Sequence, residues 1–200
     1  MLEDRIRAKT SGALMRAALF IARTGVTPNA LTVIGLIGMA IAGFLSAFGL
    51  FFLSGVVVAT SCIFDALDGA LARANDAVSV FGAFLDSFLD RYAEILVYAG
   101  LLVYYIDLGS TIGVGATFFA ATGSLMVSYA RARAEGLGVE CRVGLFSRAV
   151  RIVVITAGLL TGFVIQSLLI LAVATNATAA RRLFYVWGVT RPKSPSPPSQ

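Results

Sequence analysis

Histidine is absent from this chain, and only two cysteines, Cys62 and Cys141, are present. The cysteines lie far apart, one in an apolar stretch and one in a charged stretch, so we expect no disulfide bond. The same composition excludes a zinc site built from cysteine and histidine. Any general base that works near neutral pH must therefore be a carboxylate, a lysine, a tyrosine or a metal-bound water.

Charged residues are also scarce. They make up 14% of the chain, whereas hydrophobic residues make up 58%. Soluble domains typically have about 25% charged residues and about half apolar residues, so the composition predicts an integral membrane protein. The 200 residues leave room for about six or seven spanning helices of roughly 20 residues each. The net charge is +5, but the basic residues cluster beside apolar stretches, which indicates membrane topology and no nucleic-acid binding.

The predicted fold is all-α, with six transmembrane helices preceded by an N-terminal amphipathic helix. Residues 1–26 alternate basic and apolar side chains and are too charged to span, which favours an interfacial helix on the lipid headgroups. Residues 27–190 form the six-helix membrane domain, and residues 191–200, rich in proline and serine, are predicted to be disordered. The expected spans are residues 27–50, 51–74, 80–106 and 111–134, and two helices within 149–182 that meet near Thr161-Gly162.

The basic segments predict the orientation. With six spans, all of them fall on one side of the membrane, which is the cytoplasmic side by the positive-inside rule. We therefore expect a multi-pass protein of the cell membrane with both termini in the cytoplasm.

Four aspartates stand at helical spacing where apolar residues would be expected. Asp65 and Asp68 share one helix face at i, i+3, and Asp86 and Asp90 share another at i, i+4. A short turn joins the two spans, so all four carboxylates should meet at one depth on the cytoplasmic side. Ionised carboxylates at membrane depth are costly and repel one another. They predict a site for two divalent cations, with Mg²⁺ favoured and Mn²⁺ as the alternative.

The surrounding residues extend this pattern to Asp65-x2-Asp68-Gly69-x2-Ala72-Arg73-x8-Gly82-x3-Asp86-x3-Asp90. The segment resembles the signature of the CDP-alcohol phosphotransferase family at every fixed position. This resemblance implies transfer of a substituted phosphoryl group from a CDP-linked donor to an alcohol, with release of CMP.

The same resemblance implies roles for individual residues. Asp65, Asp68 and Asp86 would be metal ligands, and Asp90 would bind the second metal and take the proton from the attacking hydroxyl. The residues implied to contact the CDP-linked donor are Asn29, Ala30, Leu31, Thr32, Gly69, Arg73 and Ser79.

The acceptor is predicted from the basic residues that follow the fourth span. If Arg131, Arg148 and Arg151 converge on the metals, the acceptor should itself be anionic. The Ser128–Glu135 stretch and the Arg148-x-x-Arg151 pair resemble those of prokaryotic phosphatidylinositol-phosphate synthases. This resemblance implies CDP-diacylglycerol as the donor and inositol 1-phosphate as the acceptor, with Arg131, Arg148 and Arg151 binding the acceptor phosphate. Anchoring by the positive-inside rule explains the arginines about equally well.

Two other functions stay open from the residues alone. Phosphatidylglycerophosphate synthesis also uses a phosphorylated acceptor, glycerol 3-phosphate. A divalent-cation carrier is the alternative of another class, since acidic residues within spans also mark ion paths. A carrier needs polar residues across the whole bilayer, whereas here they stop on the predicted cytoplasmic side.

Helix contacts are predicted from two further patterns. Gly35, Gly38 and Gly43 should let a neighbouring helix approach the first span closely. The glycine-rich faces, together with the family resemblance, predict a homodimer. We expect Arg91 and Glu94 to form an i, i+3 pair with no functional role.

Overall fold

The chain folds as a bundle of six helices. The computed structural model describes Phe20, Ala22 and residues 25–74 and 79–191, and these residues contain no β-strand. The helices are α1 Pro28–Ala47, α2 Phe51–Ala74, α3 Val80–Asp107, α4 Thr111–Glu135, α5 Arg148–Thr161 and α6 Val164–Thr190. The all-α prediction is confirmed, and the last two helices are divided at Gly162 as expected, where a φ of 79° ends α5.

Hydroxyl caps fix the starts of three helices. Thr27 accepts a hydrogen bond from the backbone N–H of Ala30, and Pro28 occupies the first turn of α1. Ser79 caps α3 and Ser110 caps α4 in the same way, at 3.0 and 3.2 Å. Such caps satisfy backbone donors that have no partner within the helix. Ser147, at the start of α5, makes no side-chain cap.

Glycines allow the closest helix contacts. α1 packs most extensively on α2 and α3, and α4 packs most extensively on α6. At the crossing of α1 and α3, a Cβ on Gly100 would collide with the backbone of Gly43. Gly38 similarly faces Ser61 of α2. The predicted close approach of a helix to α1 is therefore confirmed at both glycines: Gly43 meets the backbone of α3, and Gly38 makes room for the side chain of Ser61.

The six helices differ in how well they suit a bilayer. Four of them, α1, α2, α4 and α6, are long and apolar enough to cross one. Of the six predicted transmembrane helices, four are therefore long and apolar enough to span. α3 carries four charged residues before or near its midpoint, namely Asp86, Asp90, Arg91 and Glu94. α5 has 14 residues and is about 21 Å long, shorter than a hydrocarbon core of about 30 Å.

One end of the bundle collects the polar groups. Because the helices alternate in direction, the starts of α1, α3 and α5 lie with the ends of α2, α4 and α6. Hydrogen bonds from Thr32 in α1 to Asp68 in α2, and from Arg148 in α5 to Asp65, join these ends. We call this the site end. The predicted amphipathic helix and C-terminal tail lie outside the described residues, apart from a few residues at their inner boundaries.

Candidate active site

Three of the four signature aspartates form one cluster at the site end, and the fourth, Asp90, pairs with Arg148. Asp65, Asp68 and Asp86 each offer a carboxylate oxygen, and these oxygens lie within 4.8 Å of one another. Asp68 is buried, and the other two are half-buried. α2 and α3 are consecutive, so the end of one and the start of the next bring these side chains to the same depth.

This donor set fits a divalent cation. All three side chains offer oxygen, and oxygen is the ligand that Mg²⁺ and Mn²⁺ prefer. Three ionised carboxylates at this spacing repel one another strongly unless a positive charge lies between them. These three side chains are therefore better explained as ligands of a hard cation than as an acidic cluster without a counter-ion.

Arg148 supplies positive charge beside this cluster. Its Nη1 and Nη2 donate to the two carboxylate oxygens of Asp65 at 2.9 and 3.2 Å. Its Nη2 also lies 2.6 Å from Oδ1 of Asp90. Asp90 is thus turned towards Arg148, with Arg91 at 3.5 Å on its other oxygen. Of the three arginines predicted for the acceptor, Arg148 contacts the aspartates.

A cavity of about 470 Å³ opens beside Asp68 and Asp86. Five of the seven residues predicted to contact the CDP-linked donor line it: Asn29, Thr32, Gly69, Arg73 and Ser79. Gly82 and Ala83 complete part of the wall. Residues far apart in the chain, from three helices, therefore converge on one hollow next to the acidic cluster.

Ala30 and Leu31 are placed differently from the prediction. Ala30 is engaged through its backbone in the cap of α1. Leu31 is 4% exposed and packs on Leu67, Ala70 and Leu71. Asn29 and Thr32 lie three positions apart and share one face of α1, whereas the two residues between them point elsewhere. Leu31 therefore joins α1 to α2 and does not line the cavity.

Thr32 stands between this cavity and a second, smaller hollow. Its hydroxyl donates to Oδ2 of Asp68 at 2.7 Å, which fixes the direction of that carboxylate. On its other side a hollow of about 20 Å³ is lined by Asp65, Asp90 and Arg148, with Ser61 and Cys62. The acidic cluster therefore has the large cavity on one side and the Asp90–Arg148 pair on the other.

The other two predicted acceptor arginines have protein partners. Arg131 pairs with Glu135 on its own helix at 2.8 Å, and both side chains are well exposed. Arg151 is 1% exposed and donates to both oxygens of Glu94 at 2.7 Å. The structure thus gives Arg151 a buried carboxylate as its partner, because its guanidinium fork matches the two oxygens of Glu94.

Besides Arg151, two buried charged residues among those described fall outside the signature, Glu94 and Arg182. Glu94 pairs with Arg151 and not with Arg91, whose guanidinium donates to the carbonyl of Ser87. The predicted ion pair between Arg91 and Glu94 is therefore wrong. Arg182 is 4% exposed and donates to the carbonyls of Val127 and Val143. In the sequence, Glu94 and Arg182 each stand out only as a charged residue within an apolar stretch.

Known proteins are similar to this chain in sequence over most of its length. Archaetidylinositol phosphate synthase of Pyrococcus horikoshii is 36% identical over 182 residues, which cover 90% of this chain and 94% of the relative. Phosphatidylinositol phosphate synthase of Mycobacteroides abscessus is 37% identical over 195 residues, covering 93% and 87%.

Solved structures of a third protein, phosphatidylinositol phosphate synthase of Mycobacterium tuberculosis, have the same fold. The structure with CDP-DAG bound has a TM-score of 0.82 and 29% identity, covering 90% of this chain and 98% of that chain. The complex with manganese and citrate has a TM-score of 0.81 at the same identity, covering 90% and 93%.

The family model for CDP-alcohol phosphatidyltransferase matches residues 25–186. The match includes the acidic cluster, the large cavity and Arg148, and it extends over all but the last few residues of the helical bundle. This chain therefore belongs to the CDP-alcohol phosphatidyltransferase family.

Proposed function

We propose that this protein transfers a phosphatidyl group from CDP-diacylglycerol to a phosphorylated alcohol, inositol 1-phosphate, giving phosphatidylinositol phosphate and CMP. Relatives named as phosphatidylinositol phosphate synthase and archaetidylinositol phosphate synthase support this acceptor. A similar protein solved with CDP-DAG bound supports the donor.

One observation carries the proposal. The acidic cluster has a cavity large enough for a nucleotide on one side and a carboxylate paired with an arginine on the other. A transfer between two anionic substrates needs this arrangement, with a place for each substrate and the reacting phosphorus between them.

The donor would occupy the large cavity. Arg73 lines it and can bind a phosphate group with two parallel hydrogen bonds. Gly69 and Gly82 leave room for the substrate close to the backbone. Val80, Phe81 and Phe84, at the start of α3, are strongly exposed beside this opening. Such an apolar rim suits lipid chains, so the donor would enter sideways from the bilayer.

Asp65, Asp68 and Asp86 would hold the divalent cations, with Asp90 as a further ligand. Two Mg²⁺ ions are proposed from the charge of four carboxylates, and the complex of a similar protein with manganese supports a divalent metal. When bound, the metals would stabilise negative charge on the attacking and leaving oxygens of the transfer. Thr32 would keep Asp68 oriented through its hydrogen bond.

The acceptor would bind on the other side of the cluster. Arg148 has one buried donor, Nε, without a partner among the described residues, and it can bind a phosphate through its fork. Asp90 would take the proton from the attacking hydroxyl. The new bond joins the acceptor oxygen to the lipid-bearing phosphorus, and the bond from that phosphorus to CMP breaks. Arg131 would add positive charge at the end of α4, whereas Arg151 would act through its contacts with the protein.

The membrane arrangement is proposed with the reaction. All six helices would cross the bilayer, with the site end and both termini in the cytoplasm and residues 1–26 on the membrane surface. The basic residues support this, since Arg131, Arg148 and Arg182 all lie at the site end. Two copies would associate as a homodimer.

The experiment is a CMP-release assay with purified protein, CDP-diacylglycerol and Mg²⁺. Inositol 1-phosphate, glycerol 3-phosphate, serine and free inositol are offered in parallel, and the ether-linked donor is tested beside the diacyl one. We expect release with inositol 1-phosphate. Release with glycerol 3-phosphate alone would instead identify a phosphatidylglycerophosphate synthase. Metal uptake into liposomes without a CDP-lipid would indicate a carrier.

Arg148→Gln tests the acceptor side. We expect the KM for inositol 1-phosphate to rise by about tenfold or more, because a charge-assisted contact to the phosphate is lost. The KM for the donor should stay within about twofold, since the donor cavity is lined by other residues. Arg142→Gln is the matched control, because Arg142 pairs with Glu140 in an exposed loop. An equal rise in both KM values would contradict the assignment.

A further inference from the structure

Glu94 and Arg151 form the most deeply buried ion pair among the described residues. Their side chains are 10% and 1% exposed. Both carboxylate oxygens of Glu94 accept from the guanidinium, each at 2.7 Å. Neither the acidic signature nor the large cavity includes Glu94. A buried ion pair is weak evidence for stability but can fix a geometry, which makes its position relative to the site informative.

The pair lies one helical turn behind the reactive groups. Glu94 follows Asp90 by four residues on α3, and Arg151 follows Arg148 by three residues on α5. Residues at these spacings share one helix face. Two contacts between α3 and α5 therefore stand side by side. The inner contact is Glu94 with Arg151, and the outer one is Asp90 with Arg148.

α5 needs such an attachment at its start. It packs mainly on α2 and α6, and long charged side chains bridge it to α3. Its first residue, Arg148, follows Ser147, which provides no side-chain cap. Arg151 also donates to the carbonyl of Phe146, just before the helix, and lies 3.4 Å from the hydroxyl of Ser128 on α4. Glu94 thus holds a guanidinium that connects three helices and the loop before α5.

The two arginines differ in freedom. Arg148 is 28% exposed, lies beside a hollow and has an Nε that finds no partner in the part of the chain that the structure describes. Arg151 is closed off from solvent, and protein atoms accept from it. Arg148 is therefore the arginine that a ligand can reach, whereas Arg151 is enclosed by protein.

We infer that Glu94 is a positioning residue: it holds Arg151, and through it the first turn of α5, so that Arg148 meets the anionic group of the acceptor beside Asp90. This inference rests on the proposed function. The two arginines of the Arg148-x-x-Arg151 pair then have different roles: Arg148 contacts the ligand, and Arg151 holds the start of α5 in place.

Glu94→Gln tests the inference. It keeps the size of the side chain but removes the charge that holds the guanidinium. We expect the KM for inositol 1-phosphate to rise about tenfold, while kcat and the KM for CDP-diacylglycerol stay within about twofold. Glu140→Gln is the matched control, because it removes the same charge from an exposed pair with Arg142 and should change neither KM.

A second measurement does not depend on turnover. Hydrogen exchange should become faster in residues 148–152 of the Glu94→Gln protein and stay unchanged in α1. If the wild-type enzyme releases no CMP with any acceptor, the proposed function fails, and hydrogen exchange still decides whether Glu94 fixes α5. Unchanged exchange in residues 148–152 would overturn the positioning role.

A double variant removes the uncertainty about folding. The double variant Glu94→Gln/Arg151→Gln leaves no unpaired charge buried at this position. It also lacks the guanidinium of Arg151 that connects α5 to α3. We expect its acceptor KM to stay raised. A normal acceptor KM in either variant, or a parallel rise in both substrates' KM values, would overturn the inference.

Discussion

Asp90→Asn should lower kcat by roughly 10²- to 10⁴-fold, the range associated with loss of a general base. Histidine is absent, so a carboxylate is the natural group to take the proton from the attacking hydroxyl. Asp90 lies 2.6 Å from the guanidinium of Arg148, where an anionic acceptor would bind. Asparagine keeps the size and can still accept a hydrogen bond, but it cannot take the proton. The measurement is CMP release with saturating CDP-diacylglycerol and inositol 1-phosphate.

Asp107→Asn is the matched control. Asp107 is the last residue of the same helix, is exposed and lies at the opposite end of the bundle. The same chemical change there should leave kcat within about twofold of wild type. The KM for the donor should also change little in Asp90→Asn, because Asp68 and Asp86 line the donor cavity. A kcat close to wild type in Asp90→Asn would remove Asp90 from the chemistry.

Removal of divalent metal should have the second large effect. We expect turnover to fall about 10³-fold after chelation, since loss of about 4 kcal/mol of charge stabilisation in the transition state has that consequence. Addition of Mg²⁺ or Mn²⁺ should restore it. The physical basis is the acidic cluster, whose three carboxylate oxygens lie within 4.8 Å of one another.

Asp68→Asn links this effect to the cluster. The variant should need more Mg²⁺ for half-maximal activity, because one ligand charge is lost, whereas Asp107→Asn should need the same concentration as wild type. Thermal unfolding gives an independent readout, since a ligand that binds only the folded state raises Tm. Mg²⁺ should raise Tm less in Asp68→Asn than in wild type. Full activity in a chelated sample would refute the metal site.

Much of the fold followed from local patterns. The expected span starts at residues 27, 51, 80 and 111 lie within one residue of the observed starts of α1 to α4, and the break at Gly162 was visible as a glycine after an apolar run. Long apolar stretches gave four helices that suit a bilayer. The other two predicted spans lack this pattern, since charges interrupt α3 and α5 is short.

The candidate site was predictable to a different degree in each part. The cluster of aspartates was predictable because a short turn joins α2 to α3. Residues near the end of one helix and the start of the next are therefore close both in sequence and in space. The partners of charged residues on α5 were not predictable. Glu94 could pair with Arg91 on its own helix by spacing, yet Arg151, which is 57 residues away, takes both of its oxygens.

The sequence by itself determined the helical membrane class, the acidic cluster and the family, because each depends on composition or on fixed spacing within one segment. Only the tertiary structure decided which arginine meets the aspartates, which residues line the large cavity, and which charge holds the start of α5. These depend on how α1, α2, α3 and α5 pack, and packing is set by many weak contacts between distant segments. The pairing of a buried charge is therefore a property of the whole bundle.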